Sequence, residues 1–464
     1  MKRFLFLLIL VQAASWGHAD GMAPAGEQPC LDCLVCEALK DDEPYAEGAM
    51  KSVRHITPGK DHWLFRSDVD LSTHFGIPEA MTPWYKRLMD AFHQQHIEVV
   101  FAVQPTRGMM HRDKIREDAS YGFDYPTGLR NLQHFLGQLR TGGAIVPDII
   151  PLVKQPPQSE YFFRRDHHWT PAGAQATARI VADTLKTLPV YTQLEKKNYF
   201  TEKSLILPKD GTMNRALRKI CGNNYGFQYV QGFQTVPENS GADALFADEA
   251  TPEVVLVGTS NSANRDDETK NYNFEGYLKE YLSVDILNYA LPGAGQDGAL
   301  IQYLHSDDYD AQHPPKLLIW ELPANFQLES ELTYRQLLPA LAGGCKGREP
   351  LLTATRTINQ MAVHERLEIL SNTGHQRRTL PAGQGFIDLR LSDRNIKDFY
   401  LIVYYDNGLR DKVWYRREAV VDGGQYYLEL SHDPKFKGAN PISVFIEPTE
   451  AVETATTLEA RLCI

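Results

Sequence analysis

The segment EVVLVGTS (residues 253–260) decides how this chain is read. Its first five residues form a short apolar run rich in valine, the composition of a strand buried on both faces. Gly258-Thr259-Ser260 then ends the run in a tight polar turn, a place where an α/β fold exposes a nucleophile. Working outward, four further runs read as buried strands: 97–103 (IEVVFAV), 145–153 (IVPDIIPLV, interrupted by Pro147), 284–289 (VDILNY) and 316–320 (KLLIW). Helical patterns occupy 83–94, 128–139, 171–188, 273–282 and 297–304. Strand and helix alternate, so an α/β fold is expected, a parallel sheet with helices on both faces. Four runs end in Gln104 to Gly108, Gly258 to Ser260, Ala290 to Gly295 and Glu321 to Asn325. In open sheets the carboxyl ends of the strands border the ligand crevice, so these loops are expected at one rim.

Beyond about residue 340 the pattern changes. Short runs at 386–389, 399–405, 412–415, 426–430 and 442–447 are separated by Asp406-Asn407-Gly408, Asp422-Gly423-Gly424 and Lys437-Gly438. Close spacing with turn signals predicts an all-β sandwich. The expected boundary lies between Ala340 and Lys346, giving a domain at 20–340 and a second at 341–464.

Residues 1–19 read as a signal peptide. Met1-Lys2-Arg3 is basic, 4–11 (FLFLLILV) is apolar, and Gly17-His18-Ala19 supplies small residues for cleavage after Ala19. The run is too short to span a bilayer comfortably, and no later stretch reaches transmembrane length. Loss of Lys2 and Arg3 takes the net charge from −11 to −13. A chain this acidic is not a general nucleic-acid binder. Export permits disulfides among Cys30, Cys33, Cys36, Cys221, Cys345 and Cys463, for which 15 pairings exist. CLDCLVC suggests a metal site at first sight, but no matching cysteine or histidine pair follows it.

The chemistry centres on YFFRRDHHWTPAGA (161–174). Thr170-Pro171 reads as an N-cap followed by proline at the first helical position, so Asp166-His167-His168 precedes a helix. Adjacent histidine side chains diverge, and no HExxH is present, so no metal is expected. A serine nucleophile needs a base, and the base needs a carboxylate to fix its tautomer. Asp166 and His168 lie two apart and face the same way in extended backbone. With Ser260 they complete a triad; the bland alternative is surface polarity near a helix start.

Four stretches, PGKDHWLFRSDVDL (58–71), QPTRG (104–108), RRDHHWTPAGA (164–174) and VVLVGTSNSA (254–263), together with the C-terminal β region bracketed by Cys345 and Cys463, resemble one family. The chain resembles the AlgX family, the periplasmic alginate O-acetylation proteins of Gram-negative bacteria. The resemblance implies an SGNH hydrolase-like domain followed by a carbohydrate-binding module. It implies Asp166 as orienting carboxylate, His168 as base and Ser260 as nucleophile, with His167 a spacer and no cofactor. It also implies bridges Cys36–Cys221 and Cys345–Cys463, an alginate (polymannuronate) substrate, and partners among the cell-envelope alginate export and acetylation proteins. Backbone amides at Ser260 and Gly293 are oxyanion candidates, though Pro292-Gly293 also reads as a plain turn. Arg107 is a candidate for a uronate carboxylate, or else forms a surface salt bridge. Residues 386–440 hold nine basic and nine acidic residues, a local neutrality in an acidic chain. There Lys397, Tyr400, Arg410, Lys412, Trp414 and Arg416 are candidates for polymer binding, against the bland reading of a solvated β-face. An esterase using water as acceptor and a non-catalytic polymer-binding scaffold remain alternatives.

Overall fold

The computed structural model describes residues 34–238, 251–380, 383–421 and 423–464. The signal peptide read for residues 1–19, together with Cys30, Cys33 and Asp422, lies outside the described residues. Among the described residues no helix is long and apolar enough to cross a membrane.

The first part of the chain runs β1 (Ile56–Pro58), β2 (Leu64–Arg66), α1 (Thr82–Gln94), β3 (Glu98–Gln104), α2 (Arg107–Met110), α3 (Tyr125–Thr141), α4 (Ile150–Lys154) and α5 (Pro171–Leu185). It continues through β4 (Tyr199–Lys209), α6 (Thr212–Cys221), β5 (Gln228–Pro237), β6 (Val254–Val257), α7 (Phe274–Leu282), β7 (Leu287–Asn288), α8 (Gly298–His305), β8 (Leu317–Pro323) and α9 (Glu331–Leu341). The central sheet has the order β3-β8-β6-β7, and its pairings are parallel. Its strands are valine- and leucine-rich because both faces are covered, and they join α1, α3, α5, α7, α8 and α9 in one apolar core.

The strand expected at 145–153 does not form. Only Ile145 bridges to Val100. Pro147 cannot donate to a ladder, and Pro151 sits in the first turn of α4, where its missing N–H costs nothing. The run 284–289 contributes only the two residues of β7. The sequence reading also missed the antiparallel ribbon β4–β5, and α6 and α9.

The second part comprises β9 (Leu352–Ile358), β10 (Leu367–Ser371), β11 (Phe386–Leu391), β12 (Asp398–Tyr405), β13 (Arg410–Arg416), β14 (Gln425–Glu429), β15 (Pro441–Pro448) and β16 (Thr456–Cys463). Two four-stranded sheets, β10-β15-β12-β13 and β14-β11-β16-β9, enclose a separate apolar core between alternating inward-facing residues. Both sheets are antiparallel.

Among the described residues two disulfides are present, Cys36–Cys221 and Cys345–Cys463. The first ties the segment before β1 to the end of α6. The second ties the connection after α9 to the last strand. The two parts are fastened by α9. Arg335 donates to the Glu429 carbonyl at 2.8 Å and pairs with Asp411 at 2.6 Å, and Gln336 accepts from the buried Arg417. From α1, Arg87 reaches Glu429 at 2.6 Å.

Candidate active site

β6 delivers Gly258-Thr259-Ser260 to the rim. Gly258 has no room for a side chain: a Cβ would lie 2.7 Å from Glu321 Oε2 and 2.8 Å from Glu321 Cβ. Glu321, on the neighbouring β8, accepts the Thr259 backbone N–H at 2.7 Å and its hydroxyl at 2.8 Å. Thr259 Oγ1 in turn accepts from the Asn261 N–H at 3.2 Å and from its amide at 3.1 Å. The turn is therefore rigid, and Ser260 stands half-buried at its tip.

The second loop is held just as firmly. Thr170 caps α5 by accepting from the Gly173 N–H, with Pro171 at the first position, as expected. Phe162 and Trp169 pair across the loop. Asp166 and His168 do face each other, but not through extended backbone. Asp166 Oδ1 accepts the His168 N–H at 3.0 Å, the i to i+2 bond of an Asx turn, and the same oxygen meets His168 Nδ1. His168 Nε2 lies 2.8 Å from Ser260 Oγ. Asp166 Oδ2 accepts the Thr212 N–H at 3.0 Å. His167 turns its Nδ1 to Thr212 Oγ1 at 2.8 Å and lays its ring against that of His168. Asp166, His167 and His168 bring donor atoms within 4.8 Å of one another. The Asp166 oxygens and both His168 nitrogens are already engaged by partners of the protein.

Burial pushes the His168 imidazole below its ordinary pKa; Asp166 opposes the shift and Lys209 and Arg265 reinforce it. The imidazole is thus neutral at neutral pH. Burial would raise the Asp166 carboxyl, but His168 and Lys209 together hold it well below the usual carboxylate range.

Arg107 borders the Ser260 cleft, but its side chain is buried. It is 1% exposed and its guanidinium donates to the carbonyls of Leu64 at 2.7 Å, Phe163 at 2.5 Å, Arg164 at 3.1 Å and Asp166 at 2.6 Å. Asp70 pairs with its Nε at 3.1 Å. Its donors shape the loop that carries Asp166 and are not offered to a uronate. Asn261, missed in the sequence although it follows Ser260, joins the two loops. Its Oδ1 accepts the Trp169 N–H at 3.1 Å and its carbonyl accepts the Trp169 indole N–H at 2.8 Å.

Ser260 opens on a cleft of about 360 Å³ lined also by Lys51, Arg66, Gln104, Gly293 and Asn325. Gly293 has φ +76°, a left-handed conformation that favours glycine. A second cleft of about 430 Å³ shares Gly293 and Ala294 and continues to Trp414 and Arg416. Arg410, Lys412, Trp414 and Arg416 alternate along the edge strand β13, on its exposed side. Tyr400 lies opposite Trp414 with the rings stacked at 5.8 Å. Lys412 sits over Tyr400 and pairs with Glu447 at 2.7 Å, and Arg416 pairs with Glu418 at 2.9 Å. Lys397, just before β12, is half-buried.

The carboxyl that the sequence reading passed over is Glu321. It is fully buried, and desolvation raises it from 4.5 to about 7 despite the Thr259 donors. Its folded pKa exceeds its unfolded one, so its contribution to stability is full below 4.5 and is lost as pH rises through about 7. That shift corresponds to about 3 kcal/mol. Glu321→Gln keeps an acceptor for Thr259 and removes the titration. Urea unfolding at about pH 5 and about pH 8 is expected to show a loss of stability in the wild type that is largely absent in the variant. Equal losses would contradict the assignment.

Comparison with known proteins bears on the whole chain. The profile described as "SGNH hydrolase-like domain, acetyltransferase AlgX" matches residues 56–324. A "C-terminal carbohydrate-binding module" profile matches residues 344–464. The alginate biosynthesis protein AlgX of Pseudomonas aeruginosa is 34% identical, over 100% of this chain and 96% of its own length. The chain belongs to the AlgX family. Another AlgX, from Pseudomonas fluorescens, is 34% identical over 94% of this chain and 88% of its own. The solved structure of P. aeruginosa AlgX superposes with a TM-score of 0.81 at 32% identity, covering 93% of this chain and 99% of that one. The probable alginate O-acetylase AlgJ of P. fluorescens is more distant, 31% identical over 58% of this chain and 68% of its own. The AlgX match spans both parts of the fold, whereas the AlgJ match spans little more than half of the chain.

Proposed function

We propose that this protein O-acetylates alginate, in its polymannuronate form, in the periplasm, through an acetyl-Ser260 intermediate. In this reading residues 20–340 perform the chemistry and 341–464 hold the polymer. The observation that carries it is the 2.8 Å contact between His168 Nε2 and Ser260 Oγ, with Asp166 behind His168. Ser260 Oγ attacks the carbonyl of an acetyl donor while His168 Nε2 takes its proton. The donor's leaving group takes that proton as the tetrahedral intermediate collapses to acetyl-serine. A mannuronate hydroxyl then attacks the acetyl carbon, His168 accepts the hydroxyl proton, and the regenerated serine takes it back. The Ser260 and Gly293 amides serve as oxyanion donors. Lys51, exposed on the cleft, supplies the cation for a uronate carboxylate that the buried Arg107 does not.

The two adjoining clefts supply a route for a chain acceptor, from Ser260 past Gly293 to Trp414 and Arg416. That route favours a polymer over water as acceptor. Turnover of a chromogenic acetyl ester, with and without polymannuronate oligomers, separates the two by whether acetyl appears on the oligomer.

The route also predicts a separation of functions. Neutralising Lys397, Lys412 and Arg416 together is expected to weaken binding of long polymannuronate about tenfold at low salt, and less at high salt, where charge pairs are screened over about 8 Å or less. Turnover of the small ester stays within about twofold of wild type, since that ester needs only the Ser260 end. Unchanged polymer affinity would reduce these charges to solvated decoration, with Lys412 and Arg416 satisfied by Glu447 and Glu418.

A further inference from the structure

Lys209 is the last residue of β4 and, among the described residues, the one buried lysine, 8% exposed. Lysine is rarely buried unless paired. Its ammonium donates to the Tyr272 hydroxyl, lies 4.8 Å from the centre of that ring and 5.1 Å from the centre of the Phe163 ring. The carboxylate it faces is Asp166, with Nζ 3.5 Å from Oδ2, the oxygen turned away from His168. The fold enforces this placement. Between β4 and α6 the chain turns through Gly211 at φ +84°, where a Cβ would lie 2.2 Å from the Arg165 carbonyl oxygen. That carbonyl accepts from Met213 N at 3.2 Å and Asn214 N at 3.3 Å, while Thr212 N reaches Asp166 Oδ2. The connection from Lys209 to Asn214 is thus stitched to the Asp166 loop and cradles the far side of its carboxylate.

We propose that Lys209 is a positioning residue for acyl transfer, whose charge against the far oxygen of Asp166 fixes that carboxylate and keeps His168 an unprotonated base into the acidic range. The inference rests on the triad reading above. A lone buried carboxylate would hold a proton on His168 and raise its pKa; a cation on the opposite oxygen weakens that pull. The other groups facing this cluster are the His167 ring against His168, Arg265 acting on His168 and Lys209, Arg66 acting on His167, Arg215 acting on Lys209, and the Tyr272 phenol. Among the described residues, Lys209 is the lysine or arginine within ion-pair reach of the Asp166 carboxylate.

The test is the pH dependence of kcat/KM for a chromogenic acetyl ester with the full chain, comparing wild type, Lys209→Arg and Lys209→Gln. The acid limb of Lys209→Gln is expected to move up by about half to one pH unit, while that of Lys209→Arg stays close to wild type. Limbs unmoved in both, or moved equally in both, would overturn the proposal, the second by assigning Lys209 a purely steric part. Should Lys209→Gln not fold, Asp166→Asn supplies the reciprocal measurement. The Lys209 ammonium, followed by the chemical shift of labelled lysine Cε, is expected to titrate at lower pH once the carboxylate is gone, and an unchanged titration would overturn the pairing. Failure of the triad reading itself looks different: ester turnover would then survive Ser260→Ala.

Discussion

Ser260→Ala is expected to lower acetyl transfer by about 10³-fold or more, with the fold and polymer binding retained. The hydroxyl it removes is the atom that would carry the acetyl group, and its hydrogen-bond partner is a base held in one orientation. His168→Ala is expected to be as damaging, because without the imidazole nothing takes the serine proton and nothing returns it to the leaving group. His167→Ala is expected to cost less than about tenfold, since that ring addresses Thr212 rather than the serine. Initial rates of acetylation of polymannuronate, with circular dichroism to check folding, decide the order. Full activity in Ser260→Ala would remove Ser260 as the nucleophile, and a greater loss in His167→Ala than in His168→Ala would mean the base is misassigned.

Removing the Cys345–Cys463 bridge is expected to cost the C-terminal sandwich about 4–5 kcal/mol, from the loop entropy of a 118-residue separation. The bridge does more than close a loop. Cys345 donates its N–H to Asp388 on β11 at 3.0 Å, and the two cysteines form a small buried cluster with Phe386, against which Tyr427 packs. The Cys345→Ser, Cys463→Ser double variant is therefore expected to unfold in two steps, the sandwich at lower denaturant than the α/β part. Tryptophan fluorescence separates the steps, because Trp414 reports on the sandwich and Trp63, Trp169 and Trp320 on the other core. Superimposable transitions for wild type and variant would contradict this.

The parallel strands were readable because burial on both faces writes itself as an unbroken apolar run, as in 254–257 and 317–320. The same signal misled at 145–153, where two prolines turn an apolar run into one bridge and a short helix. The helix after the Asp-His pair was readable from Thr170-Pro171, since capping is a local matter. The ribbon β4–β5 was not, because its residues alternate irregularly and much of it is exposed. In the site, Asp166, His168 and Ser260 were visible as residue types in recognisable settings. Their supports were not. Arg107 looked like a rim cation because its strand ends there, yet its side chain turns inward to four carbonyls far along the chain. Lys209 and Glu321 belong to strands with no motif, and only the fold brings them to Asp166 and to the Ser260 turn. Long-range contacts of this kind leave no local pattern.

The central claim is that acetyl passes through Ser260 to a polymer. It is tested by trapping the protein with a chromogenic acetyl ester, locating the label by peptide mass spectrometry, and then adding polymannuronate oligomers. The account predicts one acetyl group on the peptide carrying Ser260, its loss when oligomer is added, and its appearance on the oligomer, none of which occurs in Ser260→Ala. Acetylated oligomer produced with no label ever found on Ser260, or produced undiminished by Ser260→Ala, would contradict it.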